Sequence, residues 1–169
     1  MAMAQLAGCT AEEIRRGMET FKGVDRRFDF KLKNDKIVFL SDYAHHPKEI
    51  YQSARSIREL YKNRQITAIF QPHLYTRTRD FYKDFADALS LLDEVILTEI
   101  YPAREQPIEG VTSQLIYDNL RPGIQKQIIR KEDVLQLVKD RSFDVLIVLG
   151  AGDLDNQVPE MTKILAERL

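Results

Sequence analysis

The spacing of apolar positions changes character along the chain. Ile14, Met18 and Phe21 recur at near-helical spacing, Thr10 with Glu13 forms a capping-box signature ahead of them, and Gly8 sits where a preceding helix would close. Past residue 27 the period falls to two. Phe28, Phe30 and Leu32 are separated by polar residues, "KND" is a turn, and "KIVFL" reads as a second strand. From there short apolar runs alternate with amphipathic stretches. Strands are predicted at "ITAIF" (66–70), "EVILTEI" (94–100), "KQIIR" (126–130) and "DVLIVLG" (144–150). Helices are predicted over 47–61, with proline in the first turn, and over 78–92, 112–120, 132–139 and 158–169. This alternation predicts an α/β fold: a Rossmann-like, mostly parallel six-stranded sheet with helices on both faces. The helical residues 1–22 are expected to be the tail of an upstream domain, and 23–169 to form the α/β domain.

Composition narrows the class without naming a function. A chain of 169 residues suffices for one compact domain with a real core. Its net charge of −1 comes from interleaved acids and bases, so no basic block marks a nucleic-acid surface. No run approaches the roughly 18–20 apolar residues of a membrane span, and no basic start with an apolar centre marks a signal peptide. Cys9 is the only cysteine, which excludes an internal disulfide and a multi-cysteine metal site. A cytoplasmic protein is expected.

Chemistry collects after the predicted strands. In open α/β sheets ligands bind outside the carboxyl ends of the strands. Here those ends carry "SDYAHHP", "QPHLYTRTRD", "YPAREQP" and "GAGD", and the chain's three histidines, His45, His46 and His73, all lie in the first two. Asp42 is placed either to accept the two hydroxyls of a ribose or to form a turn. Tyr43 either stacks on a base or packs within the chain. His45 and His46 cannot both face inward on extended backbone, so one can reach a ligand while the other caps the following helix or faces solvent. As a metal pair they lack a third ligand nearby. Arg77 and Arg79 fall at a predicted helix start, where anions are favoured, and a guanidinium grips a carboxylate with two parallel hydrogen bonds. His73 and Arg77 together therefore suit a small carboxylate or a phosphate; the alternative is surface pairing of the arginines with Asp80 or Asp84. Arg104, beside Glu105, carries the same ambiguity. "GAGD" lets the backbone approach a neighbour or a phosphate. There is no G-x-x-x-x-G-K-[ST] phosphate loop and no G-x-S-x-G elbow.

Taken in order, "GVDRRFD", "SDYAHHPKEI", "FQPHLYTRTRDFYKDFADAL", "EIYPAREQPIEGVTS" and "VLGAGD" resemble the C-terminal domain of the bacterial Mur ligases, over nearly the whole chain. Within that family the motifs look most like the member that adds L-alanine. The resemblance implies that residues 1–22 end a central ATPase domain, and that the chain is part of a three-domain enzyme. It implies ATP-dependent phosphorylation of the carboxylate of UDP-N-acetylmuramic acid, then attack by the amine of L-alanine. Mg²⁺ would accompany ATP, with its ligands and the phosphate loop in the central domain and the UDP-sugar site in the N-terminal one. By motif, Arg27 matches an arginine near the ATP phosphates, with Arg26 adjacent. Asp42 matches the ribose-binding aspartate and Tyr43 the residue beside the adenine. His45 is expected to face the closed active site and His46 to support the turn into the next helix. His73 and Arg77 match residues around the incoming alanine, Arg77 at its carboxylate. No metal ligand is implied here. Departures are Leu74 and Ser41, where many relatives carry arginine and aspartate, and Arg104, where glycine is common. The alternatives are a recycling ligase that joins a tripeptide to the same UDP-sugar, and a nucleotide-binding domain without catalysis.

Overall fold

The computed structural model describes residues 2–21 and 23–168. Two helices come first, α1 (Ala2–Leu6) and α2 (Ala11–Thr20). The capping box forms as the sequence predicts: the Glu13 N–H donates to Thr10 Oγ1 at 3.3 Å, and the Thr10 N–H donates to Glu13 Oε2 at 2.8 Å. Neither helix has a buried residue, and Met18 and Phe21 remain exposed.

The α/β body follows as β1 (Asp29–Lys33), β2 (Val38–Asp42), α3 (Pro47–Leu60), β3 (Ile66–Phe70), α4 (Tyr75–Leu89), β4 (Glu94–Leu97), α5 (Gln114–Asn119), β5 (Gln125–Ile128), α6 (Val134–Asp140), β6 (Val145–Leu149) and α7 (Val158–Ala166). The sheet runs β1-β2-β6-β3-β4-β5, with β1 antiparallel to β2 and every other pair parallel. The expected six strands and mostly parallel sheet are thus present. Most boundaries shift by one to three residues, and two of the shifts bear on the site. Strand β4 stops at Leu97, three residues short of the prediction. Its last link to the β5 side is the Ile129 N–H to the Leu97 carbonyl (2.9 Å); on the β3 side the Thr98 N–H still donates to the Phe70 carbonyl (3.1 Å), but the next donor position is Pro72, which has no N–H, and the Thr98 carbonyl takes the Ser113 hydroxyl (2.5 Å). Helix α4 starts at Tyr75 rather than Thr78, because Glu105, distant in sequence, supplies its cap.

Side-chain alternation divides the core. Val38, Leu40, Ile66, Ala68, Phe70, Val95, Leu97 and Ile147 face one side and pack with Ile50, Ile57, Phe85, Leu89 and Ile116 of α3, α4 and α5. Phe39, Ile69, Ile96, Leu146 and Val148 face the other, with Val134 and Val138 of α6 and Val158 and Met161 of α7. Each fully buried Ile, Leu or Phe contributes roughly 1.5–3 kcal/mol relative to exposure. Strand β6 lies between β2 and β3, yet the helix after it packs on the opposite face from those after its neighbours. Chain paths diverge at its carboxyl end, which leaves a crevice where α/β sheets bind ligands. No helix among the described residues is long and apolar enough to cross a membrane.

Candidate active site

Asp42 ends β2 and is 7% exposed. Its carboxylate accepts the Ser53 hydroxyl from α3 and, two residues on, the Ala44 N–H at 3.2 Å. The turn anticipated as one alternative is therefore real. Each carboxylate oxygen keeps a lone pair beyond these bonds, and Asp42 also lines an open cleft of about 480 Å³ with Arg27, Phe28, Lys48, Gln52 and Ser53. Tyr43 is packed within the chain. Its N–H donates to the Arg26 carbonyl at 2.6 Å, and the guanidinium carbons of Arg26 and Arg27 lie 4.7 and 5.5 Å from its ring centroid. Arg26 is tied to Asp155, past the end of β6, at 2.8 Å, and Asp155 also accepts the Ser41 hydroxyl at 3.1 Å. The cation–π contacts and this ion pair fix the two arginines beside the carboxyl ends of β2 and β6.

The two adjacent histidines separate as sequence reasoning expects for His46. It is the N-cap of α3: its Nδ1 accepts the Lys48 N–H at 3.4 Å, and its own N–H donates to Glu49 Oε2 at 3.1 Å. Glu49 Oε2 also accepts the His45 N–H at 3.0 Å. Burial pushes the Glu49 pKa up, but the two backbone donors and the charges of His45 and Arg27 outweigh it and hold the carboxyl below its usual range. His45 turns the other way, with Nδ1 2.9 Å from the Tyr43 carbonyl and its ring 5.9 Å from that of His73.

His73 and Arg77 come from the segment after β3 and meet His45. Arg77 Nη1 donates to the His45 carbonyl at 3.4 Å. The His73 ring lies 5.6 Å from that of Tyr101, and its Nδ1 is buried with no hydrogen-bond partner among the described residues. Burial lowers the His73 pKa, and the charges of Arg77 and His45 lower it further, so the ring is neutral at neutral pH. A neutral imidazole beside a guanidinium is suited to a zwitterionic ligand: a ring nitrogen can accept a hydrogen bond from an ammonium while the guanidinium pairs with its carboxylate. The remaining loop arginines differ. Arg79 pairs with Asp80 at 2.8 Å on the surface, and Arg104 is exposed.

The glycine turn of "GAGD" approaches a neighbour. Gln71 Nε2 donates to Asp153 Oδ1 at 3.0 Å, and Gln71 Oε1 accepts the Leu154 N–H at 3.0 Å. A Cβ at Gly150 would lie 2.8 Å from the Gln71 carbonyl oxygen, and one at Gly152 only 2.2 Å from Gln71 Oε1. Both glycines are needed for this latch.

Four supporting residues escaped the sequence analysis as site components: Glu49, Gln71, Glu105 and Asp155. Glu49 had a local signal, three positions after the N-cap histidine. The other three act on segments distant in sequence and leave none. Backbone strain marks the same region. The non-glycine residues with left-handed φ, among those described, are Arg26 (61°) and Phe28 (47°), which flank Arg27, Leu74 (75°), which follows His73, and Ala103 (51°), in the "YPARE" loop. Such conformations cost of order 1–3 kcal/mol each and concentrate at functional sites.

Comparison with known proteins agrees with the geometry. Residues 26–153 match the family model described as Mur ligase, glutamate ligase domain. A UDP-N-acetylmuramate–L-alanine ligase of Phocaeicola vulgatus is 67% identical over 168 residues, spanning 99% of this chain and 37% of that protein. This chain thus spans little more than a third of such a relative. The crystal structure of UDP-N-acetylmuramate-alanine ligase from Thermotoga maritima is similar with a TM-score of 0.75 at 27% identity, over 99% of this chain and 35% of that one. A murein peptide ligase from Psychrobacter arcticus has a TM-score of 0.67 at 17% identity, covering 97% and 35% of the two chains, which shows a shared fold. The chain belongs to the Mur ligase family and carries its glutamate ligase domain.

Proposed function

We propose that this chain is the C-terminal domain of an ATP-dependent amide ligase that joins L-alanine to UDP-N-acetylmuramic acid for peptidoglycan precursors in the cytoplasm. In this reading residues 1–22 end the preceding central domain, and the missing domains hold the UDP-sugar and the phosphate loop. The chain on its own is then inactive. The observation that carries the reading is the pairing, around one crevice, of two unlike groups. Arg27 and Asp42 line a cleft, while His45, His73 and Arg77 form a cluster beside it. A domain that only bound nucleotide would have no use for the second group. The 67% identity to a protein named for this reaction supports the same substrate choice.

The cleft fits the sugar and phosphate parts of ATP. Asp42 offers carboxylate lone pairs to ribose hydroxyls, and Arg27 offers positive charge at the mouth. Tyr43, beneath both guanidiniums, is assigned to the adenine side. Among the described residues no group of three His, Cys, Asp or Glu able to hold a metal occurs. The ligands of Mg²⁺ are assigned to the central domain. The protein's own work is orientation. Arg77 holds the alanine carboxylate, His45 and His73 stand beside the amine, and a fixed amine aimed at an activated carboxyl is catalysis by positioning. His73, whose pKa is held below its usual value by burial and then by the charges of Arg77 and His45, is suited to accept the proton the amine loses as it attacks.

The test uses the protein with its upstream domains. Phosphate release is followed with ATP, Mg²⁺ and UDP-N-acetylmuramic acid, adding L-alanine or the recycling tripeptide in turn. Turnover with L-alanine is expected. Turnover with tripeptide alone would move the protein to the recycling ligases, and turnover with neither, in a folded protein that binds ATP, would leave a nucleotide-binding module.

A further inference from the structure

Glu105 lies in the loop after β4, in a turn closed by its N–H to the Pro102 carbonyl (2.9 Å) and wound through the left-handed Ala103. Its carboxylate accepts the Thr76 N–H at 3.0 Å and also the Thr76 hydroxyl. These donors hold its pKa below the usual carboxylate range, the Thr76 hydroxyl foremost and the N–H next, so it is anionic at neutral pH. It does for α4 what the local sequence cannot. The N-cap position is Leu74, which has no polar side chain and sits at φ 75°, ψ 133°. The same loop is laced to the segment ahead of α4. The Tyr101 N–H donates to the Pro72 carbonyl at 2.8 Å, the Leu74 N–H donates to the Tyr101 carbonyl at 2.9 Å, and the Tyr101 ring packs on His73.

Thr76 is the neighbour of Arg77. Fixing its N–H and hydroxyl sets the rotation of the first turn of α4, and with it the direction in which Arg77 extends. The positive end of the helix is also already matched by a carboxylate.

We infer that Glu105 is a positioning residue for the amino-acid pocket, holding the first turn of α4 so that Arg77 and His73 address the same substrate as His45. The inference rests on the ligase reading above.

The experiment uses the protein with its upstream domains and measures KM separately for L-alanine and for ATP, together with the thermal midpoint. Glu105→Ala is expected to raise KM for L-alanine about tenfold or more, as misplaced substrate-holding groups do, with KM for ATP changed by less than about twofold. Glu105→Gln keeps an acceptor oxygen and is expected to recover part of the loss; it also serves if the alanine variant fails to fold. Thr76→Val removes the hydroxyl half of the contact and should reproduce part of the effect, and the double variant should be no worse than Glu105→Ala alone, because that change already removes both bonds. An unchanged KM for L-alanine, or equal rises for both substrates alongside a fallen midpoint, would overturn the inference and leave Glu105 a structural cap. Absence of alanine-dependent turnover in the unaltered protein would instead overturn the ligase reading, and the inference with it.

Discussion

In the proposed reading Asp42 uses the same carboxylate for nucleotide binding and for packing. Its carboxylate lines the cleft while it accepts the Ser53 hydroxyl and the Ala44 N–H. Asp42→Asn should therefore weaken ATP binding and also cost about 1–3 kcal/mol of stability, the usual loss when a buried hydrogen-bonded charge is altered; urea unfolding beside nucleotide titration measures both. His73 makes a prediction in pH. Unfolded, it takes a proton near its ordinary value of 6.5; folded, it does so only at lower pH. The unfolded state then binds more protons below that value, so this contribution is full above about pH 6.5 and is lost as pH falls. The thermal midpoint should drop between about pH 7.5 and 5.5, and drop less in His73→Gln. The candidate residues were legible singly, from their types and from their places after strands. How they divide the space was not. That Tyr43 lies beneath two guanidiniums, and that Asp155 anchors Arg26, depends on strands β2 and β6 being neighbours, and sequence spacing does not encode that.

At the scale of elements, the strands were the most legible part, because apolar runs such as "ITAIF" and "VLIVL" bury both faces and leave little ambiguity. Ends set by distant partners were not. Helix α4 begins where Glu105 reaches it, and β4 ends where its β3-side neighbour becomes Pro72, which has no N–H to give the Thr98 carbonyl. The turn after β6 belongs to the same class: its glycines were visible, but their partner Gln71 was not. Gly152→Ala forces a Cβ against a side chain whose amide is already engaged at both ends. It should cost about 2 kcal/mol or more through overpacking and a broken hydrogen bond. Gly17→Ala in α2 is the contrast. A Cβ there meets nothing within 4 Å, so the change should be neutral or stabilise the helix by up to about 1 kcal/mol. Chemical denaturation of the two variants side by side decides this; equal effects would show that the Gln71 latch carries no stability.

At the scale of the whole molecule, the sheet order places one divergent strand, β6, between β2 and β3, and so sets the crevice between two loops rich in charged and histidine side chains. The first two helices have no buried residue, and Met18 and Phe21 remain uncovered. The account's central claim is that the cluster beside β3 is an amino-acid pocket, distinct from the nucleotide cleft beside β2. The most direct test is Arg77→Ala in the protein with its upstream domains, scored by KM for L-alanine against KM for ATP. Loss of a charge-assisted contact of roughly 1.5–3 kcal/mol predicts a rise of about ten- to a hundredfold for L-alanine, with ATP little changed. An equal rise for both substrates, or a rise for ATP alone, would contradict the division of the crevice into two sites.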